Sequence, residues 1–407
     1  MPCQNLVIRI ARSMAEIDRR QWNACANPLA PASAGAAAGA AHDAPADARE
    51  ERFNPFITHE FLHCLESSGA VGARAGWAPM HVLVETGEGQ LVAAAPTYLK
   101  SHSLGEYVFD HGWAEAYEQA GGRYYPKLQV AVPFTPATGR RLLVRPGAEE
   151  AAHRASLVAG LRALCGKAHA SSIHVTFLTR PEWEALGAAG FLQRTGKQFH
   201  FFNRGYATFE DFLGSLASRK RKMVRRERKD ALGAGIEIER LTGRAIGEAH
   251  WDAFFAFYMD TGARKWGRPY LTRRFFSEVG AALGEHILLV MARRGGRYIA
   301  GAINFIGQDA LYGRNWGAIE EHPFLHFEVC YYQAIEFAIE RRLARVEAGA
   351  QGEHKLARGY APVPIYSGHD ISDGRFARAV ADYLVHEREQ VAEAIGVHAE
   401  HVPYRKA

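Results

Sequence analysis

The chain has 407 residues, of which 48% are hydrophobic and 23% are charged, and its net charge is +5. This length exceeds one typical domain, and the composition is that of a globular protein, which excludes a chain disordered throughout. No apolar stretch approaches the ~20 residues that a membrane-spanning helix requires.

The cysteines and the N-terminal residues predict the compartment. Five cysteines stand far apart without a C-x-x-C pair, a pattern typical of reduced thiols rather than of a disulfide framework or a zinc site. Residues 1–14 lack the apolar core of a signal peptide. We therefore expect a cytoplasmic protein without a metal site.

The first half of the sequence predicts strands that alternate with helices, because apolar residues recur with the matching periods. The predicted elements in chain order are a strand at 6–10, a helix at 13–25 with Ser13 as N-cap, a helix at 58–67, strands at 80–85, 90–99 and 106–109, a helix at 148–168, a strand at 173–178, a short helix from 181 and a strand at 191–203. Residues 29–51 are mainly Ala, Gly and Pro and predict a low-complexity surface insert.

The second half predicts a similar order of elements. These are a basic helix at 208–231, a strand at 236–241, helices at 247–261 and 272–283, strands at 287–292, 298–306 and 310–316, a helix at 324–342, a strand at 345–348 and a helix at 373–395. Short segments also repeat in order, since residues 55–62 resemble 269–276 and residues 82–84 resemble 288–290. A repeat of about half the chain indicates two tandem domains of one fold, at 1–205 and 206–407.

Positive charge is concentrated in one predicted helix. Residues 219–229 hold eight basic groups and a single acid, Glu227. Two interpretations stay open: Arg221, Lys222 and Arg225 bind an anionic partner such as tRNA or a phosphate-bearing precursor, or the run is a solvated helix face.

Several short motifs point to one family. They are NPF at 54–56, YLKSHS at 98–103, GEYVFD at 105–110, YYPKLQ at 124–129, PFTP at 133–136, GAQGEHK at 349–355 and RGY at 358–360. Together they resemble the FemAB-like group of the GNAT N-acyltransferase superfamily, described as peptidoglycan biosynthesis or recognition proteins. The resemblance spans nearly the whole chain outside the insert. It implies an α/β (α+β) fold of two tandem GNAT domains, with mostly antiparallel sheets flanked by helices.

The resemblance also implies an activity, the transfer of an acyl or aminoacyl group to an amine such as that of a peptidoglycan precursor. Acetyl-CoA and aminoacyl-tRNA are both open as donors, and no cofactor is assigned. The pattern R-x-x-G-x-A at 244–249 matches a CoA-binding turn. In acetyl-CoA enzymes of this fold that turn precedes the helix after the antiparallel strands, whereas this match follows the first strand of the second half. We therefore interpret it as a helix start. The alternative to an enzyme is a non-catalytic protein that recognises cell-wall precursors or a protein partner.

The glycine-rich loop at 349–360 carries the principal candidate residues. Amide formation needs a base that takes a proton from the attacking ammonium, and Glu353 or His354 could supply it. Lys355 and Arg358 are candidates for binding a carboxylate or phosphate, and Tyr360 is a candidate for substrate binding. A solvated loop with ordinary surface charges is the alternative.

A second set of candidates lies in the first half. Asp110 and His111 are a possible acid/base pair, beside the substrate-binding candidates Tyr125 and Lys127. A structural hydrogen-bonded pair is an equally open reading. Glu328, near the start of its predicted helix, is a further substrate-binding candidate.

Overall fold

The computed structural model describes residues 5–28, 53–233, 235–264, 269–349 and 352–405. The predicted insert at 29–51 lies outside these residues. The chain forms two compact units, unit 1 from residues up to 196 together with 365–392, and unit 2 from residues 197–364 together with 393–407.

The elements up to residue 202 alternate between strands and helices. The strands are β1 (Leu6–Ala11), β2 (Trp77–Pro79), β3 (His81–Thr86), β4 (Leu91–Ala95), β5 (Thr97–Lys100), β6 (Lys127–Val130), β7 (Leu143–Val144), β8 (Ser172–Leu178) and β9 (Leu192–Phe202). The helices are α1 (Arg19–Ala26), α2 (His59–Ser67), α3 (His111–Gln119), α4 (Glu150–Lys167) and α5 (Arg180–Ala188).

The remaining elements follow from residue 209. The strands are β10 (Ile236–Thr242), β11 (Ile287–Arg294), β12 (Arg297–Ile306), β13 (Ala310–Ala318), β14 (Arg345–Glu347) and β15 (Ala361–Ile371). The helices are α6 (Phe209–Ser215), α7 (Ser218–Leu232), α8 (Glu248–Arg264), α9 (Arg273–Leu283), α10 (Leu325–Phe327), α11 (Gln333–Glu340) and α12 (Gly374–Glu400). A π-helical segment, Glu328–Tyr332, joins α10 to α11, and a 3-10 turn spans Glu353–Arg358.

The part of unit 1 that the structure describes contains two sheets. One has the antiparallel order β1-β3-β4-β7, and α4 packs on it through Leu157 and Leu161. The other has the order β2-β5-β6-β8-β15, in which only the pair β6 and β8 is parallel. The buried core of the unit therefore lies between strands and the long helix α4.

The described residues of unit 2 form one sheet with the order β10-β11-β12-β13-β14-β9, in which only the pair β13 and β14 is parallel. Its core joins Val290 and Leu311 of the sheet to Ile335 and Ile339 of α11. In both units mixed, mostly antiparallel sheets are flanked by helices, which confirms the predicted fold class.

The division of the chain differs in two respects from the domain boundaries predicted at 1–205 and 206–407, and the smaller difference is that residues 197–205 belong to unit 2. Residues 365–392 pack in unit 1, because Tyr366–Ile371 of β15 pairs antiparallel with β8. Strand β15 was not expected from the sequence at all, since glycine residues on either side of it predicted a loop.

The predicted basic helix at 208–231 is two helices. Leu216, between α6 and α7, is extended with φ −78° and ψ 151°, and it is fully buried. The amide of Ala217 then donates to the carbonyl of Pro403 instead of continuing the helix. Burial of one apolar residue in the break therefore outweighs the helix propensity of the run, and the basic residues all lie on α7.

Three further elements differ from the prediction. The strand predicted at 90–99 divides at Pro96, which has no N–H to donate, so that β4 and β5 join different sheets. The helix predicted at 13–25 is a 3-10 turn capped by Ser13 followed by α1, whose N-cap is Asp18. Residues 106–109 form no strand, because Glu106 turns into a buried polar network.

Candidate active site

The turn Glu353–Arg358 carries the residues that the sequence singled out in unit 2. It follows β14 after a loop in which Gly349 has φ +76° and Gly352 has φ +114°, values that L-residues with side chains rarely adopt. A Cβ at Gly352 would lie 2.3 Å from Cε1 of His354. A residue without a side chain is therefore required at position 352 for the His354 imidazole to keep its place over the turn Glu353–Arg358.

His354 combines an exposed side chain with a buried partner. Its Nε2 lies 2.9 Å from the hydroxyl of Tyr331, which is buried. The rings of Phe327 and His326 lie beside the imidazole, at 5.6 and 6.3 Å between centroids. Partial burial, with the charges of Arg358 and Lys355, lowers the pKa of His354 below its ordinary value, so the imidazole is neutral at neutral pH.

The π-helical segment Glu328–Tyr332 sets the position of Tyr331. The wider turn rotates the side chains that follow it, and single π-turns inside helices are frequent at functional sites. Burial raises the pKa of Tyr331, so its hydroxyl stays protonated and neutral beside His354.

Lys355 points the other way, into the unit. Its Nζ donates to the carbonyl of Gly349 at 3.1 Å, and the residue is almost fully buried. Burial lowers the pKa of Lys355 to about 8, which leaves the ammonium mostly charged at neutral pH. The predicted substrate-binding role of Lys355 stays a prediction.

Glu353 occupies the exposed edge of the turn. One carboxylate oxygen lies 3.1 Å from Nε2 of His398 and 3.7 Å from Nζ of Lys197. Of the two residues predicted as possible bases, Glu353 is thus engaged with His398 and the ammonium of Lys197, whereas His354 contacts a neutral hydroxyl.

The other substrate-binding candidates of unit 2 are buried. Arg358 makes a bidentate ion pair with Glu227, with nitrogen–oxygen distances of 2.7 and 3.0 Å. Tyr360 is fully buried with its ring 5.6 Å from that of Tyr331. Glu328 is also fully buried and accepts hydrogen bonds from Arg228 and Gln333. In this structure the polar groups of Arg358 and Glu328 are held by the protein itself.

The candidates in unit 1 form a closed polar network. Nζ of Lys127 lies 2.5 Å from Oδ2 of Asp110 and 2.8 Å from Oγ of Ser103. Tyr124 donates its hydroxyl to the same oxygen of Asp110 at 2.7 Å, and Tyr125 is hydrogen-bonded to Ser103 at 2.8 Å. Burial raises the pKa of Asp110, but the charge of Lys127 outweighs it and holds the pKa well below the usual range.

The network extends to residues that the sequence analysis did not single out. His174 Nδ1 lies 2.7 Å from Nδ1 of His369, and Lys100 pairs with Glu106 at 3.4 Å. Burial lowers the pKa of His174 to about 3, so both histidines are held neutral. The sequence signal for these residues is a histidine within an apolar strand, in β8 and in the unexpected β15.

The predicted pair of Asp110 and His111 is not brought together. Asp110 is buried in the network, whereas His111 is exposed at the first residue of α3 and stacks on Phe109. Lys127 and Asp110 are nearly inaccessible to solvent, and only Tyr125 is partly exposed. The arrangement therefore favours the structural reading of this set over the acid/base reading.

The basic residues of α7 divide into two groups. Arg225 pairs with Glu210, Arg226 with Asp230, and Arg228 with Glu328 and Glu336. Within the described ranges, the cations of the first turns have no acidic partner; these are Arg219, Lys220, Arg221 and Lys222. Apart from Lys229 in the last turn, the unneutralised charge of the described helix thus lies at its N-terminal end, where the helix dipole is also positive.

Comparisons with known proteins place this geometry in context. A family model described as FemAB-like, peptidoglycan biosynthesis/recognition, matches residues 13–406. Among solved structures, the chain is similar to FemX, with a TM-score of 0.51 and 11% identity, over 82% of this chain and 96% of FemX. This likeness shows a shared fold.

Two other solved structures resemble the chain less closely by the same score. A tandem GNAT protein from the clavulanic acid biosynthesis pathway gives a TM-score of 0.46 and 12% identity, over 91% of this chain and 99% of that protein. L-PGS from Bacillus licheniformis gives 0.48 and 9%, over 79% and 95%. No curated protein matches the chain. In the described part of the structure, no helix is long and apolar enough to span a membrane.

Proposed function

Because the chain belongs to the FemAB-like family, described as peptidoglycan biosynthesis/recognition, we propose that it forms an amide bond by transferring an acyl or aminoacyl group to an amine. The acceptor class that the family favours is an amine of a peptidoglycan precursor. The chemistry is assigned to unit 2, at the turn that carries His354.

One observation carries the assignment of the base. His354 is the exposed member of a hydrogen-bonded pair whose other member, Tyr331, is buried, and its lowered pKa keeps the imidazole neutral. A base must be accessible to substrate, unprotonated at working pH and fixed in orientation. His354 meets these three requirements, whereas Asp110 and Lys127 in unit 1 are closed to solvent.

The reaction then follows from proton positions. With the proton of the imidazole on Nε2, donated to the hydroxyl oxygen of Tyr331, Nδ1 presents its lone pair to the substrate. An acceptor amine arrives as an ammonium and transfers one proton to Nδ1, which frees the nitrogen lone pair to attack the acyl carbonyl. The carbon–nitrogen bond forms, and the bond to the thiolate of acetyl-CoA or to the ribose oxygen of aminoacyl-tRNA breaks. The nitrogen loses its second proton as the amide forms, and the leaving group takes up that proton. The imidazolium of His354 then releases the first proton to solvent.

Two further roles are proposed for cationic groups. Lys355, charged and beside the same loop, supplies positive potential where negative charge develops on the carbonyl oxygen. The first turns of α7 bind phosphate groups of the donor or of a phosphate-bearing precursor, through Arg221 and Lys222. Arg225, the third residue predicted for this role, already pairs with Glu210 and contributes less.

The proposal is tested by turnover. Purified protein is incubated with an amine-bearing peptidoglycan stem peptide and with acetyl-CoA or a radiolabelled aminoacyl-tRNA, and the initial rate is measured with each donor. We expect one donor to support turnover and His354→Gln to lower kcat by about 100-fold or more, the usual contribution of a positioned base. His401→Gln, which replaces an exposed histidine outside the site, is the matched control.

Other outcomes would change the account. A larger loss in Glu353→Gln than in His354→Gln would move the base to Glu353. Binding of the stem peptide without turnover from either donor would favour the second reading, a protein that recognises cell-wall precursors without catalysis.

A further inference from the structure

We propose that Glu227 and Arg358 are positioning residues for His354, a pair that couples the basic helix α7 to the turn carrying the base. This inference rests on the proposed function, because His354 is its object. It gives a role to the single acid in the basic run, which charge patterning alone does not explain.

Arg358 makes three different contacts, and one of them reaches His354. Its guanidinium pairs with both carboxylate oxygens of Glu227, and its carbon lies 3.4 Å from the centre of the Phe327 ring. The remaining nitrogen, Nη1, donates to the backbone carbonyl of His354 at 2.7 Å. Because the planar guanidinium of Arg358 has all these partners, it has one orientation. Its hydrogen bond to the carbonyl then fixes the backbone of His354.

Glu227 is placed to serve this contact. It is buried, whereas its basic neighbours Arg225, Arg226 and Lys229 are exposed. Besides Arg358, its carboxylate accepts a hydrogen bond from the hydroxyl of Tyr332, in the π-helical segment that also carries Tyr331. The carboxylate therefore connects both halves of the pair formed by His354 and Tyr331, holding the turn through Arg358 and the segment through Tyr332.

The charges around His354 determine how its pKa should change when the pair of Glu227 and Arg358 is altered. Burial is the largest cause of the lowered pKa of His354, and the charges of Arg358 and Lys355 lower it further. Among the residues that the structure describes, the other polar groups packed near its ring are the hydroxyl of Tyr331 and the imidazole of His326. Glu353, next in the chain, is engaged with His398 and Lys197. Loss of the Arg358 charge removes one of the two cationic influences and raises the pKa of His354.

A neighbouring ion pair supplies a matched control. Arg228, the residue after Glu227, makes a bidentate pair with Glu328 and also contacts Glu336, and its guanidinium lies over the ring of Phe209. Both pairs join α7 to the rest of unit 2, but the contacts of Arg228 do not include His354. Arg228→Lys thus disturbs a comparable structural link without touching the proposed positioning contact.

The experiment measures the titration of the His354 imidazole by NMR, in histidine-labelled protein, together with kcat, KM and thermal stability. His354→Gln identifies the resonance. Three variants are compared. Arg358→Lys keeps the positive charge but loses the planar guanidinium, and Arg358→Gln loses both the charge and the guanidinium. Glu227→Gln keeps the shape of the carboxylate and its contact with Tyr332. The full chain is used throughout.

The inference predicts distinct results. Arg358→Gln raises the pKa of His354 and moves the acid limb of kcat/KM to higher pH. Arg358→Lys shifts the imidazole resonances and lowers kcat by about 10- to 100-fold with KM nearly unchanged, as expected when a reacting group is misplaced by about 1 Å. Arg228→Lys lowers thermal stability but changes the His354 titration and kcat less than Arg358→Lys does, because its partner Glu328 reaches His354 only through the π-helical segment.

Two results would overturn the inference. One is a wild-type His354 titration and kcat in both Arg358→Lys and Glu227→Gln. The other is an equal effect of Arg228→Lys on kcat and on the His354 resonances, which would show that any link to α7 acts only through folding. Failure of the proposed function is separate, because the NMR titration requires no turnover. If Arg358→Gln does not fold, Glu227→Gln decides the question.

Discussion

Nζ of Lys127 lies 2.5 Å from Oδ2 of Asp110 in the interior of unit 1, and neither side chain is appreciably exposed. An ion pair closed to solvent in this way cannot bind substrate without opening the unit. It instead ties β6 to the loop before α3, and with Tyr124 and His174 it fills the space that an apolar core would otherwise occupy. Three of the residues that the family motifs highlight, Asp110, Tyr124 and Lys127, thus have a structural explanation.

Removal of one member of this pair is expected to destabilise the protein strongly. Lys127→Met leaves the buried Asp110 carboxylate without its main partner, which costs about 3–5 kcal/mol of unfolding free energy. Chemical denaturation measures this decrease, and Lys167→Met, at an exposed lysine, is the control. The double variant Asp110→Asn, Lys127→Met is expected to recover part of it. A decrease below about 1 kcal/mol in Lys127→Met, the range of an exposed ion pair, would contradict the assignment.

Lys100 makes the stability of the protein depend on pH in a defined direction. Burial lowers the pKa of Lys100 to about 7, whereas in the unfolded chain it is about 10.4. Between these values the unfolded state binds more protons than the folded state, so this contribution to stability rises with pH and is lost as pH falls toward 7. Denaturation of the wild type and Lys100→Met at pH values from about 7 to 9 compares the slopes. The variant is expected to show the flatter slope, and parallel slopes would contradict this.

Gly352 is expected to be essential for the site but not for the fold. Gly352→Ala introduces strain at φ +114° and places a Cβ 2.3 Å from Cε1 of His354, so the imidazole must move away from Tyr331. Gly205→Ala is a matched control, because φ there is +83° and no atom lies within 4 Å of the added Cβ. The free energy of unfolding should fall by about 1 kcal/mol in both variants, but turnover should fall only in Gly352→Ala. An equal loss of turnover in both would show that strain alone, and not the clash with His354, is responsible.

The free cations of α7 are expected to govern salt-dependent binding. Replacement of Arg221 and Lys222 by glutamate should weaken binding of a radiolabelled tRNA, and it should reduce the dependence of log K on log salt by about one for each phosphate that the helix no longer binds. The control is Arg226→Glu, at a position already neutralised by Asp230. Equal affinity and equal salt slope in the double variant and the wild type would show that the helix is only solvated.

Local periodicity was enough to predict most of the elements, because their apolar faces repeat within each helix or strand. Helices α2, α4 and α9 and strands β10 to β13 lie close to where the pattern predicts them. The errors occur where a contact between residues distant in the sequence determines the secondary structure. Burial of Leu216 divides the basic helix, and β15 exists because it pairs with β8, far away in the sequence.

The candidate site was predictable in its location but not in its roles. The charged glycine loop indicated His354 and Lys355, since close backbone approach requires glycine at 349 and 352. Spacing could not show that Arg358 points inward to Glu227, because their positions are distant in the chain. For the same reason Tyr331 became a partner of His354 only in the folded unit.

The central claim is that unit 2 forms an amide with His354 as the base. Mass spectrometry of an amine-bearing stem peptide, after incubation with each donor and either wild-type protein or His354→Gln, tests it most directly. We predict that the wild type adds one acyl or aminoacyl group to the amine with one of the donors, and that the variant adds almost none in the same time. Equal modification by both proteins, or an unmodified peptide with wild type and both donors, would contradict the claim.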